Sequence, residues 1–371
     1  MRIAIIASYT PSLMNFRGHL LQRLVKDGHQ VIALSPEPDT SSLEQISRLG
    51  IQHQAFPLQR TGLSPLADIQ TVSVLTRILR DFQADHALSY TIKPVIYGSI
   101  AAERANVPHR HALITGLGTA FQGASPSRKA LHVLVKLLYR KALGKCQSVI
   151  FQNPDDRALF LEHRLAKPER THLVAGSGVD LAHYAEAPLP DGPHFLTIAR
   201  LIREKGVREY AAAARQVRQE FPGATFNLVG YHEDHISNIP ATEVESWQKN
   251  GILNFAGRMD DVRPALRDAS IYVLPSYREG LPRTVLEAMA MGRPVITTDA
   301  PGCRETVIPG ENGYLVPVGS APALAEAMIA FCRNPKTIAT MGQASRRLAR
   351  DRFDVHKVNQ DILNIMGLSA S

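Results

Sequence analysis

Residues 276–306 read SYREGLPRTVLEAMAMGRPVITTDAPGCRET, and the punctuation of that stretch decides the fold class. The apolar run Ile271 to Pro275 before it has the length of a buried strand. A loop then carries Arg278 and Glu279. Gly280, Leu281 and Pro282 lead into a helix-like segment, which Met291-Gly292-Arg293 stops, and Pro294 to Thr297 is a second short apolar run. Proline suits a helix start, because its missing N–H is one of the orphan donors there. Strand, loop, helix, strand puts Glu279 at a strand's carboxyl end and Glu287 on a helix whose N-terminus points into the same crevice. Open α/β sheets bind ligands in that crevice, and the free N–H groups of a helix N-terminus suit a phosphate.

The same alternation runs outward in both directions. Arg2 to Ala7 reads as a buried first strand, followed by a loop from Ser8 to Arg17 and a helix carrying Leu20, Leu21, Leu24 and Val25 that Gly28 stops. Val31 to Leu34, Ile51 to Phe56, His86 to Tyr90, Arg110 to Thr115, Ser148 to Gln152 and His172 to Val174 are further strands. Ile69 to Phe82 and Val95 to Ala105 are helices between them. This βαβ pattern indicates a doubly wound sheet. Ala175 to Pro193, rich in Gly, Pro and Ala, reads as an interdomain linker. The pattern restarts at Phe195 to Ala199 and continues through Thr225 to Val229, Leu253 to Ala256, Ile271 to Pro275 and Val295 to Thr297. Helices at 321–333, 335–351 and after Asp354 end the chain. The expectation is α/β architecture with two Rossmann-like doubly wound domains facing across a cleft. The first spans 1–175, with a terminal helix at 354–371 packing back on it, and the second spans 176–353.

The 371 residues suffice for two domains of ordinary size. The three cysteines, Cys146, Cys303 and Cys332, contain no CxxC pair, which argues against a disulfide framework or a zinc site and for a reducing compartment. The first ten residues hold too short an apolar core for a signal peptide, and no apolar run approaches the ~20 residues of a membrane span. A cytoplasmic location follows as the expectation. The net charge of +8 is uneven: residues 1–175 carry +9 and residues 176–371 carry −1. Such asymmetry points to an anionic surface, nucleic acid or membrane, as a partner of the first half.

Arg200 and Lys205 follow the first strand of the second half in ARLIREKG. Two cations there fit a diphosphate, which Arg chelates and Lys meets as a point charge. Two solvated loop charges are the alternative. Glu279 and Glu287 form E-x7-E, a spacing without value outside its context, EGLPxxxLEAMAxGxPVI. The apolar company of Glu287 makes it either a solvent-edge carboxylate or an acceptor for sugar hydroxyls.

Arg200 with Lys205, Gly230, Gly257-Arg258 and above all Glu279 to Val295 resemble the signature of the GT-B fold, family 4 retaining glycosyltransferases. Gly178-Val179-Asp180 is similar to that family's NGVD turn, with Ser177 in place of Asn. SYTIKPVIYG and HALITGLG resemble bacterial members that extend lipid-diphosphate-linked glycans. The resemblance implies that Arg200 and Lys205 hold the donor's diphosphate, that Glu279 binds hydroxyls of the transferred sugar, and that Gly280 and Leu281 offer backbone N–H groups. It further implies that Glu287 grips the ribose, that Thr284 and Val285 lie by phosphate and ribose, and that Arg258 lies by the base. Transfer is expected with retention and with no protein nucleophile, no metal and no cofactor beyond the nucleotide sugar.

Two places depart from the family. The His that many relatives carry after the strand ending at Thr115 is replaced by Gly116 or Leu117, and His111 reads as a buried strand residue. The first loop lacks the usual Gly-Gly and reads Asn15-Phe16-Arg17-Gly18. Arg17 is then either a ligand for an acceptor or donor phosphate or a helix-flanking surface charge. Lys93, in YTIKP, is a similar acceptor-side residue beside Thr115 and Gly116, with a lipid diphosphate or a glycan hydroxyl as its partner. Against other classes, the chain has no D-x-D and no Walker motif, and Gly116-Leu117-Gly118 is followed by Phe121 where a dinucleotide fingerprint needs Gly.

Residues 128–145, RKALHVLVKLLYRKALGK, form a basic amphipathic helix at helical spacing. Leu131, Leu134, Val135, Leu138 and Ala142 lie on one side, and Arg128, Lys129, His132, Lys136, Tyr139 and Arg140 on the other. This reads as an element of a membrane surface or as a core-facing helix with a solvated face. Membrane is preferred to nucleic acid, since no nucleic-acid module is present. The expected function is transfer of a hexose or N-acetylhexosamine, most simply from a UDP-sugar, to an undecaprenyl-diphosphate-linked saccharide by an enzyme peripherally bound to the inner membrane face. The rivals are a same-fold enzyme with a soluble acceptor, a nucleotide-sugar epimerase and an inactive glycan- or lipid-binding module.

Overall fold

Alternate residues of the first strand go to opposite faces and both faces are buried. In β1 (Arg2–Ile6), Ile3 and Ile5 join one apolar cluster while Ala4 and Ile6 join another. A strand covered on both sides reads as a continuous apolar run rather than an alternating one, which is why these strands are legible as runs. Each fully buried Ile or Leu contributes roughly 1.5–3 kcal/mol.

The structure, a computed structural model, describes residues 1–368 apart from 60, 61, 63, 118–125, 234 and 236. Gly118, Phe121 and the side chains of Arg128, Lys129 and Leu131 lie outside the described residues. The chain divides into two units, Met1–Ser177 with Val358–Ser371, and Gly178–Lys357.

In the first unit β1 is followed by α1 (Pro11–Lys26), β2 (Gln30–Ser35), α2 (Thr40–Arg48), β3 (Gln52–Ala55), α3 (Pro65–Phe82) and β4 (His86–Tyr90). A π-helical turn, Pro94–Gly98, then precedes α4 (Ser99–Arg104), β5 (His109–Ile114), α5 (Pro126–Leu143), β6 (Ser148–Phe151), α6 (Pro154–Glu162) and β7 (Thr171–Leu173). The sheet is parallel, in the order β3-β2-β1-β4-β5-β6-β7. The order reverses between β1 and β4, so their carboxyl ends, at Ser8 and Thr91, form the switch point where such sheets bind ligands.

The second unit runs β8 (His194–Ile198), α7 (Val207–Glu220), β9 (Thr225–Val229), α8 (Ala241–Lys249), β10 (Asn254–Gly257), α9 (Arg263–Arg267), β11 (Ile271–Leu274), α10 (Arg283–Ala290), β12 (Val295–Thr298) and β13 (Gly313–Val316). Two helices, α11 (Ala321–Arg333) and α12 (Lys336–Arg352), close it. Its sheet is also parallel, ordered β10-β9-β8-β11-β12-β13. The last helix, α13 (Val355–Met366), starts in this unit. It then places Val358, Ile362, Leu363 and Met366, one helical face, in the cluster that holds Ile3 and Ile5 of the first.

Residues 178–193, read from sequence as part of a linker, are instead pinned to the second unit. Arg346 donates to the carbonyls of Tyr184 at 3.1 Å, Leu181 at 3.3 Å and Ala290. Arg293, fully buried, donates to those of Ala187, Pro188, Leu266, Arg267 and Met291 at 2.6–3.0 Å. Glycine and proline content signals irregular backbone, and here two arginines satisfy its carbonyls.

The amphipathic reading of α5 also needs correction. Tyr139, assigned to the basic side, is buried edge-on against Phe160 with ring centroids 5.1 Å apart, beside Val135 and Ala142. Leu134, assigned to the apolar side, is exposed with Val133 and Leu137. A tyrosine ring buries as readily as an aliphatic group once its position faces the core.

Candidate active site

The strand ends of the second unit bring the sequence-predicted donor residues together. After β8, Leu201 N–H donates to Tyr231 O at 3.0 Å, holding Arg200 beside the end of β9. A 3-10 turn, Arg203–Lys205, follows. Gly206 has φ +68°, and a Cβ there would sit 2.8 Å from the carbonyl carbon of Pro275 and closer still to its oxygen. That contact seats the Lys205 turn on the end of β11. Tyr277 N–H donates to Glu204 O at 2.9 Å and joins the two loops.

Lys205 Nζ pairs with Glu279 Oε1, and their side chains are only 17% and 15% exposed. Glu279 is fixed through its backbone: its N–H donates to Pro301 O at 2.9 Å. Gly302, at φ +80°, packs so closely that a Cβ would lie 2.5 Å from the Glu279 carbonyl carbon and 2.7 Å from Gly280 O. Arg200 Nη1 pairs with Glu233 Oε2 at 2.5 Å, a more exposed contact. Cys303, buried beneath Glu279, has its thiol pushed up to about 12 by burial and then by the Glu279 charge, so it is no nucleophile at neutral pH.

Helix α10 has no side-chain N-cap. The Tyr272 hydroxyl, near Thr284, donates to Ile198 O at 3.3 Å, whereas the Val285 side chain is wholly inside the core. Glu287 is buried with 6% of its side chain exposed; Arg283, one turn earlier, bonds it through Nε at 2.8 Å. The Tyr184 phenol lies near the same carboxylate. Burial raises the Glu287 carboxyl above its ordinary value, and Arg283 and Tyr184 oppose the rise. Gly280 and Leu281 are half-buried on the connecting loop. Arg258 is exposed, 5.5 Å above the ring of Tyr231.

In the first unit Arg17 is neither in a loop nor a surface charge. Helix α1 begins at Pro11, so Arg17 falls on its inner face, 1% exposed, with its guanidinium 5.5 Å from the Tyr90 ring. Lys93 pairs with Asp68 of α3 at 3.4 Å, both largely buried, so its charge already has a partner within the unit. Thr91 has φ +69°, an outlier for a β-branched residue, and donates to Ser8 Oγ at 2.8 Å across the switch point. Thr115 and Gly116 are half-buried beyond β5. His111 is buried, bonded to Ser148 Oγ at 2.7 Å. Sequence reasoning missed Tyr184, Tyr231, Glu233 and Gly302; only Gly302, in the quoted stretch, left a signal.

The profile described as "Glycosyl transferase 4-like domain" matches residues 16–176, and that described as "Glycosyl transferases group 1" matches residues 192–334. The chain belongs to the family 4 glycosyltransferases. It is 25% identical over 340 residues, 88% of each chain, to N,N'-diacetylbacillosaminyl-diphospho-undecaprenol alpha-1,3-N-acetylgalactosaminyltransferase of Campylobacter jejuni. It is 24% identical over 311 residues, 80% of this chain and 78% of the other, to UDP-Gal:alpha-D-GlcNAc-diphosphoundecaprenol alpha-1,3-galactosyltransferase of Escherichia coli. Sucrose-phosphate synthase of Thermosynechococcus elongatus superposes with a TM-score of 0.81 at 20% identity, covering 98% of both chains. The two parallel α/β units of this glycosyltransferase are those of the GT-B fold.

Proposed function

We propose that this glycosyltransferase moves a hexose or N-acetylhexosamine, with retention, from a UDP-sugar to an undecaprenyl-diphosphate-linked saccharide at the inner membrane face. The observation that carries the donor half is the meeting of Lys205 with Glu279, beside Arg200, at the carboxyl ends of β8 and β11. On this reading Arg200 and Lys205 sit where negative charge grows as the anomeric carbon–oxygen bond to the diphosphate breaks. Preorganised charge of that kind is the largest single catalytic effect available to an enzyme. Glu279 accepts from hydroxyls of the transferred sugar. The departing phosphate takes the acceptor's proton as the acceptor oxygen bonds the anomeric carbon on the face the phosphate leaves. The two cations supply the countercharge, so the reaction as written requires neither metal nor cofactor.

The relatives' acceptors, named as undecaprenyl-diphosphate-linked sugars, support the acceptor half. Among the described residues no helix is long and apolar enough to cross a membrane. Surface attachment is assigned instead to α5, where exposed Val133, Leu134 and Leu137 adjoin Arg140 and Lys141. The decisive experiment replaces Lys205 or Glu279 by Ala and measures transfer beside thermal unfolding. Each variant is expected to fold and to lose about 100-fold or more in kcat/KM. A folded variant with near wild-type rates sinks the donor-site assignment.

A further inference from the structure

The last carbonyls of a helix need donors, and an arginine near the helix C-terminus can supply them. In the first unit the helices end at the amino edge of the parallel sheet, and the arginines there follow this rule. Arg110 donates to Lys145 O at 2.8 Å and to Val107 O. Arg140 donates to His163 O at 3.1 Å and Arg164 O at 3.3 Å, and Arg170 to Cys146 O at 3.0 Å and Gly144 O at 3.3 Å. Arg80, in the last turn of α3, donates to Arg104 O at the end of α4 at 2.6 Å.

Arg77 and Arg104 do not follow it. Helix α3 closes on its own backbone, through Gln83 at φ 52°: Gln83 N–H donates to Arg80 O at 2.9 Å and Ala84 N–H to Leu79 O at 3.1 Å. Helix α4 closes likewise, with Asn106 at φ 58°. Ala105, Asn106 and Val107 N–H donate to Ala101, Glu103 and Ala102 O at 2.8, 3.0 and 2.9 Å. The helix ends therefore do not need these two guanidinium groups. Acidic neighbours do not hold them either. Glu103 pairs with Lys145 at 3.1 Å, and among the described residues neither Arg77 nor Arg104 has a side-chain acceptor, although Asp81 lies one turn from Arg77.

Both line one pocket of about 510 Å³, together with Arg80, Ser73, Thr76 and Asp81. Three guanidinium groups against one carboxylate leave its wall at +2. Thr76 Oγ1 is committed to Val72 O at 2.7 Å and Arg80 is fixed by its carbonyl bond, so Arg77 and Arg104 are the cations free to meet a ligand. A guanidinium presents a planar fork that matches two phosphate oxygens at once. We propose that this pocket is a phosphate site, in which Arg77 and Arg104 chelate the phosphate or diphosphate group of an anionic ligand and Arg80 frames it. None of its residues belongs to the donor site. It is also remote from the first unit's switch point, because the five residues of β4 separate the amino edge from Thr91 by about 15 Å.

The test is phenylglyoxal labelling of the full chain, read arginine by arginine by peptide mass spectrometry. The probes are inorganic pyrophosphate at millimolar concentration and vesicles of phosphatidylglycerol, with phosphatidylcholine vesicles as the blank. Arg48, exposed on α2 and 3.4 Å from Glu44, reports general screening of charge. A probe that fills the pocket is expected to slow labelling of Arg77 and Arg104 about tenfold or more, and that of Arg48 less than about twofold. Protection by pyrophosphate identifies a soluble phosphate ester as the ligand's source, and protection by phosphatidylglycerol alone identifies a lipid headgroup; either supports the site. Arg77→Gln combined with Arg104→Gln alters only exposed side chains and should melt as wild type does. In that variant the protection of Arg80 should fall about tenfold. Equal protection of Arg48, or no protection of Arg77 and Arg104 by either probe, overturns the proposal. So does undiminished protection of Arg80 in the double variant.

Discussion

Gly302→Ala tests whether Glu279 is placed by backbone packing rather than by its ion pair. Two costs are separable. At φ +80° an L-residue in the left-handed region costs about 1–2 kcal/mol. The new Cβ would also lie 2.5 Å from the Glu279 carbonyl carbon and 2.7 Å from Gly280 O, so that peptide must withdraw by about 1 Å to reach ordinary contact. A displacement of that size at reacting groups costs about 100-fold in rate. Gly310→Ala supplies the control, because Gly310 has φ +79° and nothing within 4 Å of its would-be Cβ. Both variants should lose stability from the backbone term, with overpacking adding about 1–3 kcal/mol for Gly302→Ala. Only Gly302→Ala should lose kcat/KM, by about 100-fold. Initial transfer rates beside thermal melts measure both quantities. A Gly302→Ala rate within about threefold of Gly310→Ala would falsify the claim that this contact sets the Glu279 position.

Three further outcomes are expected. His86 and His111 stack in the first sheet with centroids 5.5 Å apart, and burial, then a neighbouring imidazole, lowers them to about 4 and about 3. The unfolded chain, with its histidines near 6.5, therefore binds protons first. This contribution to stability is whole above pH 6.5 and declines as the pH falls toward 4 and then 3; the melting temperature of His111→Gln should fall less steeply between pH 7 and 5, and equal slopes would contradict the account. Arg293→Met leaves five backbone carbonyls without their guanidinium donor and should cost about 3–5 kcal/mol in denaturant unfolding; a cost under about 1 kcal/mol would show that water replaces the clamp. Leu134→Ser with Leu137→Ser should abolish co-sedimentation with phosphatidylglycerol vesicles, and Lys141→Gln should weaken it about fivefold at low salt; unchanged sedimentation would remove α5 as the membrane contact.

The sheets were legible because parallel strands covered on both faces appear as unbroken apolar runs, and the candidate site could be named because much of it is one contiguous stretch. What escaped was whatever depended on distance in the chain. β13 is four residues, GYLV, two of them half-exposed, and too short for a periodicity to register. The segment around Tyr184 is tied to the unit by Arg346 and Arg293, which bind its carbonyls and, through Arg346, that of Ala290 at the end of α10, and no local pattern announces a carbonyl clamp. Of the two readings of Arg17, the helix-flanking surface charge fails: a helix starting at Pro11 turns position 17 inward, with its guanidinium 5.5 Å from the Tyr90 ring. The faces of α5 were misread for the complementary reason. A wheel ranks residues by polarity, and Tyr139 has a polar tip on a ring that packs as core.

The two cations of the proposed donor site differ in a way that residue type alone does not disclose. Arg200 pairs with Glu233 across side chains 41% and 32% exposed. An exposed pair of this kind contributes at most about 1 kcal/mol and is screened by salt, so on the proposed reading an incoming diphosphate displaces Glu233 at little cost. Lys205 and Glu279 are more enclosed, and both loops are fixed by backbone: Gly206 on Pro275, Gly302 on Glu279, Tyr277 on Glu204. On the proposed reading Lys205 and Glu279 form the rigid frame that fixes the anomeric centre, while Arg200 is the mobile group that follows the phosphate. Raising ionic strength should then change donor affinity through Arg200 and leave the Lys205–Glu279 geometry intact. A salt dependence that survives Arg200→Ala unchanged would reverse that assignment.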